Sequence, residues 1–170
     1  MITISEPPPP IVLAQAFCNS ATVADLVAFE STLNWYDVAT GGSPLAPNAL
    51  LSTGTYYATQ TLNNCESARA SISITIHITT APTAIAQAFC NSATVANLVA
   101  TGTSLNWYDV PTNGIALLAT TVLSSGTYYV TQTMNNCEST RTAVIVTITT
   151  QIAGTISYSS PICKSNLQDQ

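Results

Sequence analysis

Charged side chains are scarce in this sequence, and their scarcity excludes a class of partners. Asp, Glu, Lys and Arg together make up 6% of the 170 residues, and the only basic residues are Arg69, Arg141 and Lys164. A protein that binds phosphate backbones needs a patch of such cations. Three of them, spread along the chain, do not form one, so the sequence argues against a nucleic-acid partner.

Long apolar runs and a secretory leader are also missing. No segment approaches the run of about 18 apolar residues that a membrane-spanning helix requires. The N-terminal segment 1–7 has neither a basic start nor an apolar stretch of signal-peptide length. We therefore expect no membrane span in this chain, and we expect the chain to be an excerpt of a longer protein.

What the chain does contain is a repeat. Residues 14–28 return almost unchanged as 86–100, and with this 72-residue offset roughly 40 of 63 positions are identical between 14–76 and 86–148. A fixed period of this kind marks an array in which each unit is one fold. The period predicts a Pro-rich linker at 1–10, a first module at 11–81, a second module at 82–152, and the start of a third, truncated module at 153–170.

The linker contains Pro7 to Pro10. Four consecutive prolines favour a stiff, extended polyproline conformation, which suits a tether leading into the first module. An SH3-type ligand is the alternative, and an extracellular setting makes it the weaker one.

Cysteine usage indicates the compartment. Cys18 and Cys65 in the first module recur at equivalent positions as Cys90 and Cys137. A module of about 70 residues is marginal on hydrophobic burial alone, so a covalent staple is expected. Paired cysteines imply an oxidising space, hence an extracellular or cell-surface location. Cys163 stands where a third module would carry its first cysteine and would be unpaired in this fragment; a free or intermolecular thiol is the alternative.

Within each module the hydrophobic period is two. Apolar and polar residues alternate from Ala70 to Ile78, and strands are also expected at 55–62, 33–38 and 21–28. Asn63-Asn64 and its copy Asn135-Asn136 predict two-residue hairpins, because Asn tolerates positive φ. Six or seven short strands without a helical period predict an all-β fold of tandem antiparallel β-sandwich modules.

The repeat also argues against catalysis. The only histidine, His77, is replaced by Thr149 in the second module, so no Ser-His-Asp or Cys-His set can be built in both copies. No Cys-x-x-Cys pair indicates zinc. Asp37, Asp109, Glu66 and Glu138 are conceivable calcium ligands, but the spacing of a calcium loop is absent. We expect a non-enzymatic protein without a cofactor, with calcium as the weaker alternative.

A family resemblance rests on the ordered motifs that both modules share. Trp35 and Trp107 lie in Leu-Asn-Trp-Tyr-Asp-Val segments, and Tyr56 and Tyr128 lie in Gly-Thr-Tyr-Tyr segments. This order resembles immunoglobulin-like and PKD-like sandwiches, in which a core Trp packs between sheets and a Tyr anchors a corner. The full set over about 11–150 resembles the Ig-like tandem repeats of large surface adhesins of Bacteroidetes. That resemblance implies export by the type IX secretion system and a role in cell adhesion or gliding motility.

The cysteines depart from the immunoglobulin pattern. In that family the second cysteine lies two residues after the corner tyrosine, where this chain has Ala58 and Val130. From their equivalent positions we infer bonds within each module, Cys18–Cys65 and Cys90–Cys137, each worth roughly 4 kcal/mol by loop closure. This pairing requires both cysteines of a module to lie at one end of the sandwich, because bridged Cα atoms approach within about 7 Å.

Two functions remain open at this stage. The first is a structural stalk or filament repeat of a bacterial cell-surface adhesin, whose partners are the neighbouring repeats or laterally associated copies. The second is a module that binds a surface glycan or protein. In the second case Tyr36 and Tyr108 would supply a stacking platform; the competing interpretation leaves each ring partly exposed on the sheet face while the adjacent Trp fills the core.

Overall fold

The computed structural model describes residues 6–30 and 32–150, so the predicted third module and Cys163 lie outside the described residues. The chain divides into two compact units, Met1–Ile78 and Thr79–Gln170. The division falls three residues before the predicted boundary between residues 81 and 82. Within the described residues, each unit is all-β apart from one short 3-10 turn.

The described part of the first unit has five strands: β1 Gln15–Cys18, β2 Leu33–Tyr36, β3 Gly54–Leu62, β4 Cys65–Glu66 and β5 Ala70–His77. They form one sheet in the order β1-β5-β3-β2, with β4 paired to β3. All pairings are antiparallel except β1 with β5, which is parallel. The predicted all-β class is confirmed, and the sheet is mixed rather than wholly antiparallel.

The second unit repeats this topology. Its strands are β6 Gln87–Cys90, β7 Leu105–Tyr108, β8 Gly126–Met134, β9 Cys137–Glu138 and β10 Thr142–Thr149. They lie in the order β6-β10-β8-β7, with β9 on β8 and with β6 parallel to β10. The sequence repeat is therefore also a structural repeat.

The alternation of apolar and polar residues in β5 places one of its faces against the core. Ile72 and Ile74 of β5 are buried while Ser71 and Ser73 are exposed. Residues two apart on a strand share a face, so this pattern places one side of β5 against the core.

The predicted hairpin turns are confirmed. Asn63 and Asn64 join β3 to β4 with φ of 49° and 61°, and Asn135 and Asn136 join β8 to β9 with φ of 49° and 60°. Two successive residues with positive φ define a type I′ turn, whose twist matches that of the flanking strands.

The strand predicted at 21–28 is wrong. This segment forms a 3-10 turn, Val23–Asp25, and a single bridge between Thr22 and Leu50. The side chain of Asp25 accepts hydrogen bonds from the Thr22 backbone N–H (2.7 Å) and hydroxyl (2.8 Å). This local capping bends the chain out of an extended ladder. The turn still supplies Val23 to the layer that covers the core.

The proline segment is not a free tether. Pro7 and Pro10 are buried, and Gln60 in β3 donates its side-chain amide to the Pro8 carbonyl at 2.6 Å. In the second module Gln132 makes the same contact with the Thr80 carbonyl at 2.7 Å. A proline carbonyl accepts hydrogen bonds as well as any other, so the entry segment belongs to the module rather than to the predicted linker at 1–10.

The predicted cysteine pairs are also wrong. Cys65 is a free thiol, whereas Cys18, Cys90 and Cys137 are disulfide-bonded, so Cys18 is not joined to Cys65. Cys90 is the strand neighbour of Thr149, which lies three residues beyond Val146 in β10, and Val146 is the strand neighbour of Gly126 in β8. Cys137 is the strand neighbour of Met134, which lies eight residues from Gly126 in the opposite direction along the sheet. Eleven steps of about 3.3 Å separate the two cysteines by roughly 35 Å, which no disulfide spans.

Candidate functional site

The core of each module centres on its tryptophan. Trp35 is buried with Val23, Leu51, Tyr56 and Ile74, and Trp107 is buried with the equivalent residues of the second module. The residues chosen as core markers, Trp35, Trp107, Tyr56 and Tyr128, thus all lie in the two cores.

Tyr56 also anchors a corner. Its hydroxyl accepts a hydrogen bond from the Ser52 backbone N–H at 3.0 Å, and that of Tyr128 accepts one from Ser124 at 3.1 Å. A tyrosine hydroxyl held by the backbone a few residues upstream is the tyrosine corner of immunoglobulin-like sandwiches. This contact ties the start of β3 to the segment that enters it.

Tyr36 and Tyr108 are not exposed platforms. Only 4% of Tyr36 and 6% of Tyr108 is accessible, although each follows the core tryptophan on its strand. Successive residues point to opposite faces of the sheet, so Tyr36 must be covered from the side away from Trp35. Arg69 provides that cover, with its guanidinium 3.7 Å from the ring centroid, and Arg141 lies 3.6 Å from the ring of Tyr108.

The same arginine holds a loop. Arg69 donates from Nη1 to the Val38 carbonyl and from Nη2 to the Gly41 carbonyl, the latter at 2.6 Å. Gly41 and Gly42 have φ of 65° and 70°, a turn that glycine adopts without strain. The planar guanidinium thus joins the end of β2, the turn after it and the tyrosine ring.

A carboxylate completes the cluster. The Tyr36 hydroxyl donates to Glu66 Oε1 at 2.6 Å, and the buried Thr59 hydroxyl donates to the same oxygen. The hydrogen bonds from Thr59 and then from Tyr36 hold the pKa of Glu66 below its ordinary value, and the bond to Glu66 raises the pKa of Tyr36. We call the set Tyr36, Thr59, Glu66 and Arg69 the outer-face cluster.

The second module has an identical cluster. It consists of Tyr108, Thr131, Glu138 and Arg141, with a Tyr108–Glu138 distance of 2.6 Å and a Thr131–Glu138 distance of 2.6 Å. The Thr131 bond is the main cause that lowers the pKa of Glu138, and burial is the main cause that raises the pKa of Tyr108. The cluster lies on the face of the sheet opposite the tryptophan and locks β2, β3 and β4, or their copies, together.

We expect acid to weaken both modules through these carboxylates. A carboxyl whose pKa is lower in the folded state adds stability that is complete above its ordinary pKa and is lost as the pH falls through the folded value. Replacing both Glu66 and Glu138 by Gln should therefore reduce the drop in Tm between about pH 7 and about pH 3. Circular dichroism melting measures this drop. Glu6→Gln, an exposed carboxylate outside the cluster, is the control. An equal drop in the double variant and the wild type would contradict the assignment.

The sequence analysis did not predict the outer-face cluster. Cys-Glu-Ser followed two residues later by Arg recurs in both repeats, at 65–69 and 137–141. In a chain with so few charges, a Glu and an Arg retained in both copies at the same spacing were the available signal. Tyr36 was interpreted as a partly exposed residue, because Arg69, which covers its ring, lies far from it in the sequence.

The other titratable side chains of the described residues lie apart from one another. Within residues 6–30 and 32–150, no three His, Cys, Asp or Glu side chains are close enough to hold a metal ion. Glu66 and Glu138, considered above as calcium ligands, are engaged by Tyr and Thr hydroxyls. In the same residues no helix is long and apolar enough to span a membrane.

A shallow apolar concavity lies beside β1. It measures about 330 Å³ and is lined by Ile11, Leu13, Gln15, Val27, Ala28 and Phe29. Gln15 crosses it, donating to the Val27 carbonyl at 2.6 Å and accepting from the Val27 N–H at 3.0 Å. The equivalent concavity in the second module lies at 83–87 and 99–101, where Thr83 bridges Thr101. Gln87 makes the same two hydrogen bonds with Val99, at 2.7 Å and 2.9 Å, so a glutamine amide bridges this edge in both modules.

Comparisons with known proteins agree with this fold. The family model described as "Ig-like domain CHU_C associated" matches residues 7–77 and 80–149. The search of curated proteins found no significant match.

Two solved structures are similar to the chain. Extracellular domains 3–5 of Drosophila OTK are 14% identical, with a TM-score of 0.33 and coverage of 83% of this chain and 60% of that one. Immunoglobulin domains 1–4 of Sidekick-1 are 13% identical, with a TM-score of 0.25 and coverage of 84% and 51%. The chain thus spans only part of the length of either structure.

The family matches start at Pro7 and Thr80, and so include the proline segment that packs against the first module. Together they cover both structural units, each with a core tryptophan and a tyrosine corner. The chain therefore belongs to the family of Ig-like, CHU_C-associated domains, of which it holds two in tandem.

Proposed function

We propose that this chain is a non-enzymatic, load-bearing stalk segment of an extracellular surface protein. The observation that carries the proposal is the parallel pairing of the first and last strands in each module. β1 pairs with β5 from Gln15–Ile74 to Cys18–His77, and β6 pairs with β10 in the same register.

This pairing determines how tension reaches the hydrogen bonds. The chain enters β1 at Gln15 and leaves β5 after His77, at opposite ends of the parallel pair. Pulling the two ends of a module apart therefore slides β1 along β5. All the hydrogen bonds between the strands are then loaded together in shear, whereas a hairpin pulled at its open end would break them one at a time.

The entry segment adds further attachment points. The Pro8 carbonyl binds the Gln60 amide, and in the second module the Pro82 carbonyl accepts the Thr142 hydroxyl at 2.6 Å. These contacts lie upstream of β1 and β6, so they must also break before a module extends. The disulfide-bonded cysteines favour an oxidising, extracellular location, and the proposed role needs no cofactor.

A glycan- or protein-binding role has less support. The aromatic rings assigned to it, Tyr36 and Tyr108, are buried beneath arginines in hydrogen-bonded clusters. What the two modules share is a core, a corner and an outer-face cluster, all of which stabilise the sheet. The repeat therefore retains a mechanical unit rather than an exposed aromatic site.

Force spectroscopy tests the proposal. The backbone N–H of Asn19 donates to the His77 carbonyl, so it faces β5. The N–H groups of successive strand residues point to opposite edges of the strand, so the N–H of Gln15 also faces β5 and that of Ala16 faces the open edge. Gln15→Pro removes a loaded hydrogen bond, at an equilibrium cost of about 1 kcal/mol or more, and should lower the unfolding force of the first module. With the disulfides reduced, the expected wild-type trace has two unfolding events of similar force, and the variant should have one normal and one weakened event.

The controls separate the backbone bond from other effects. Gln15→Ala removes the side-chain bridge to Val27 and keeps the backbone N–H, and Ala16→Pro introduces the ring at an N–H that faces away from β5. Both should retain more unfolding force than Gln15→Pro. Equal forces for Gln15→Pro and Ala16→Pro, or wild-type modules that extend without a force peak, would refute load bearing by this strand pair.

A further inference from the structure

One edge of each sheet is covered and the other is open. At the β2 edge, the Leu45 backbone N–H donates to the Trp35 carbonyl at 2.7 Å, and Leu117 donates to Trp107 in the same way. At the opposite edge, β1 is the last strand of its sheet, and among the residues that the structure describes it pairs with β5 alone. The backbone groups of Ala16 that face away from β5 are therefore available to another strand.

The β1 edge lacks the residues that usually prevent strands from pairing. Natural sheets protect an open edge with charged side chains or proline. The segment from Ala14 to Cys18 contains neither, and Ala14 and Ala16 are exposed. β1 has only four residues, so its backbone supplies few hydrogen bonds to a partner. A stable contact at this edge needs apolar side chains as well.

Apolar side chains are exposed beside this edge. Four large ones line the concavity next to β1 and are each between 62% and 76% exposed: Ile11, Leu13, Val27 and Phe29. These exposures leave roughly 100 Å² on each side chain, or on the order of 400 Å² in all. A contiguous apolar patch of this size on a monomer is typical of an interaction surface. We call these four residues the edge patch.

The chemistry of the edge patch favours a partner like itself. Among the described residues, no charged side chain lines the concavity. The nearby Glu30 is held through Oε1 by the Ile11 N–H at 3.2 Å. A standard interface buries about 800 Å² on each partner, and just over half of that area is apolar. The edge patch supplies most of this apolar share, and a second copy of the chain brings the same area.

We propose that the β1 edge of the first module docks against the β1 edge of a second copy of this chain. Two antiparallel strands related by a two-fold axis present the same groups to each other, so the edge is its own complement. The edge patches pack together beside the paired strands, and the outward backbone groups of Ala16 add hydrogen bonds. The bonds proposed to carry load lie on the other side of β1, so this proposal does not depend on load bearing.

The second module has a weaker form of this surface. Its β6 edge repeats the sequence of β1, but Thr83 and Thr101 replace Ile11 and Phe29. The backbones of the two threonines donate to each other's carbonyls at 3.1 Å and 2.8 Å. Half of the large apolar side chains are thereby lost, so the docking is assigned to the first module.

Sedimentation velocity of the whole chain tests the docking. We expect dimers to form between about 10 µM and about 1 mM, as suits an interface at the small end of the range. Leu13→Asp and Phe29→Asp each place a charge in the edge patch and should weaken the dimer at least about tenfold. Both side chains are exposed, so the variants should fold. Ile145→Asp, at a similarly exposed residue of β10 outside the patch, should leave the dimer unchanged. A chain that stays monomeric, or an equal loss in Ile145→Asp, would overturn the proposal.

Hydrogen exchange followed by NMR locates the contact on the wild-type chain. Exchange of the Ala16 amide should slow as the protein concentration rises, and that of Ala88 in β6 should change less. Denaturing electrophoresis without reductant should show no covalent dimer through the exposed thiol of Cys65. Dimers without protection of Ala16 would place the contact elsewhere and refute the proposal. A covalent dimer, or a monomer that binds a glycan or another protein through Phe29, would refute it as well.

Discussion

Trp35→Ala should strongly destabilise the first module and leave the stability of the second unchanged. Trp35 is buried at the centre of its core cluster, and removing a buried aromatic side chain costs about 3–5 kcal/mol. A domain of this size has a total stability of roughly 4–10 kcal/mol, so the loss consumes most of it. The second module has its own core around Trp107 and shares none of these contacts.

The chain provides its own reporters for this test. Each module has one tryptophan, so in Trp35→Ala the fluorescence reports only the second module, while circular dichroism follows both. Urea titration should give a wild-type-like fluorescence transition and an earlier transition by circular dichroism. Trp107→Ala should produce the mirror result, and Trp35→Phe, which retains an aromatic ring, should lose less. A single shared transition in Trp35→Ala would show that the modules do not unfold independently.

Arg69→Ala should have the next largest effect, at about 2 kcal/mol of unfolding free energy for the first module. The substitution removes two hydrogen bonds from a charged donor and a stacked cation, and it exposes the ring of Tyr36. It also releases the turn at Gly41. Each contact is partly open to solvent, so the effect stays below the sum of the separate terms.

Arg69→Lys is the matched control. Lysine keeps the charge but has no planar fork to reach two carbonyls while it covers an aromatic ring, so it should recover only a minor part of the loss. Arg141→Ala should have an equal effect on the second module, where the cluster is the same. Chemical denaturation followed by circular dichroism, in which the weakened module gives the earlier transition, measures both. A loss within about 0.5 kcal/mol would mean that Arg69 is an ordinary surface residue.

Local chemistry made much of the fold predictable. The Asn-Asn turns need positive φ at two successive positions, and Asn is among the few residues that tolerate it, so these hairpins follow from neighbouring residues alone. The alternation in β5 specifies its buried face in the same way. The segment 21–28 shows the limit of such reasoning, since its apolar pattern suits a strand but Thr22 and Asp25 cap a turn instead.

Some site residues were also predictable from local motifs, and others were not. Trp35 and Tyr56 were identified as core from the motifs that contain them, and they lie in the core. The orientation of Tyr36 followed from alternation, but its burial did not. It depends on Arg69, which is 33 residues away in the sequence and meets the ring only once β2, β3 and β4 are paired.

The sequence by itself determined the repeat, the all-β class, the hairpin turns and the core aromatics, because each depends on local propensity or on the 72-residue period. Only the tertiary structure decided the cysteine chemistry. Equivalent spacing made Cys18 and Cys65 look like a pair, but spacing carries no information about which end of a sheet a residue reaches. The parallel register of β1 on β5 and the β3–β4 hairpin place Cys18 and Cys65 at opposite ends of the sheet, so sheet pairing rather than sequence distance determines which cysteines can meet.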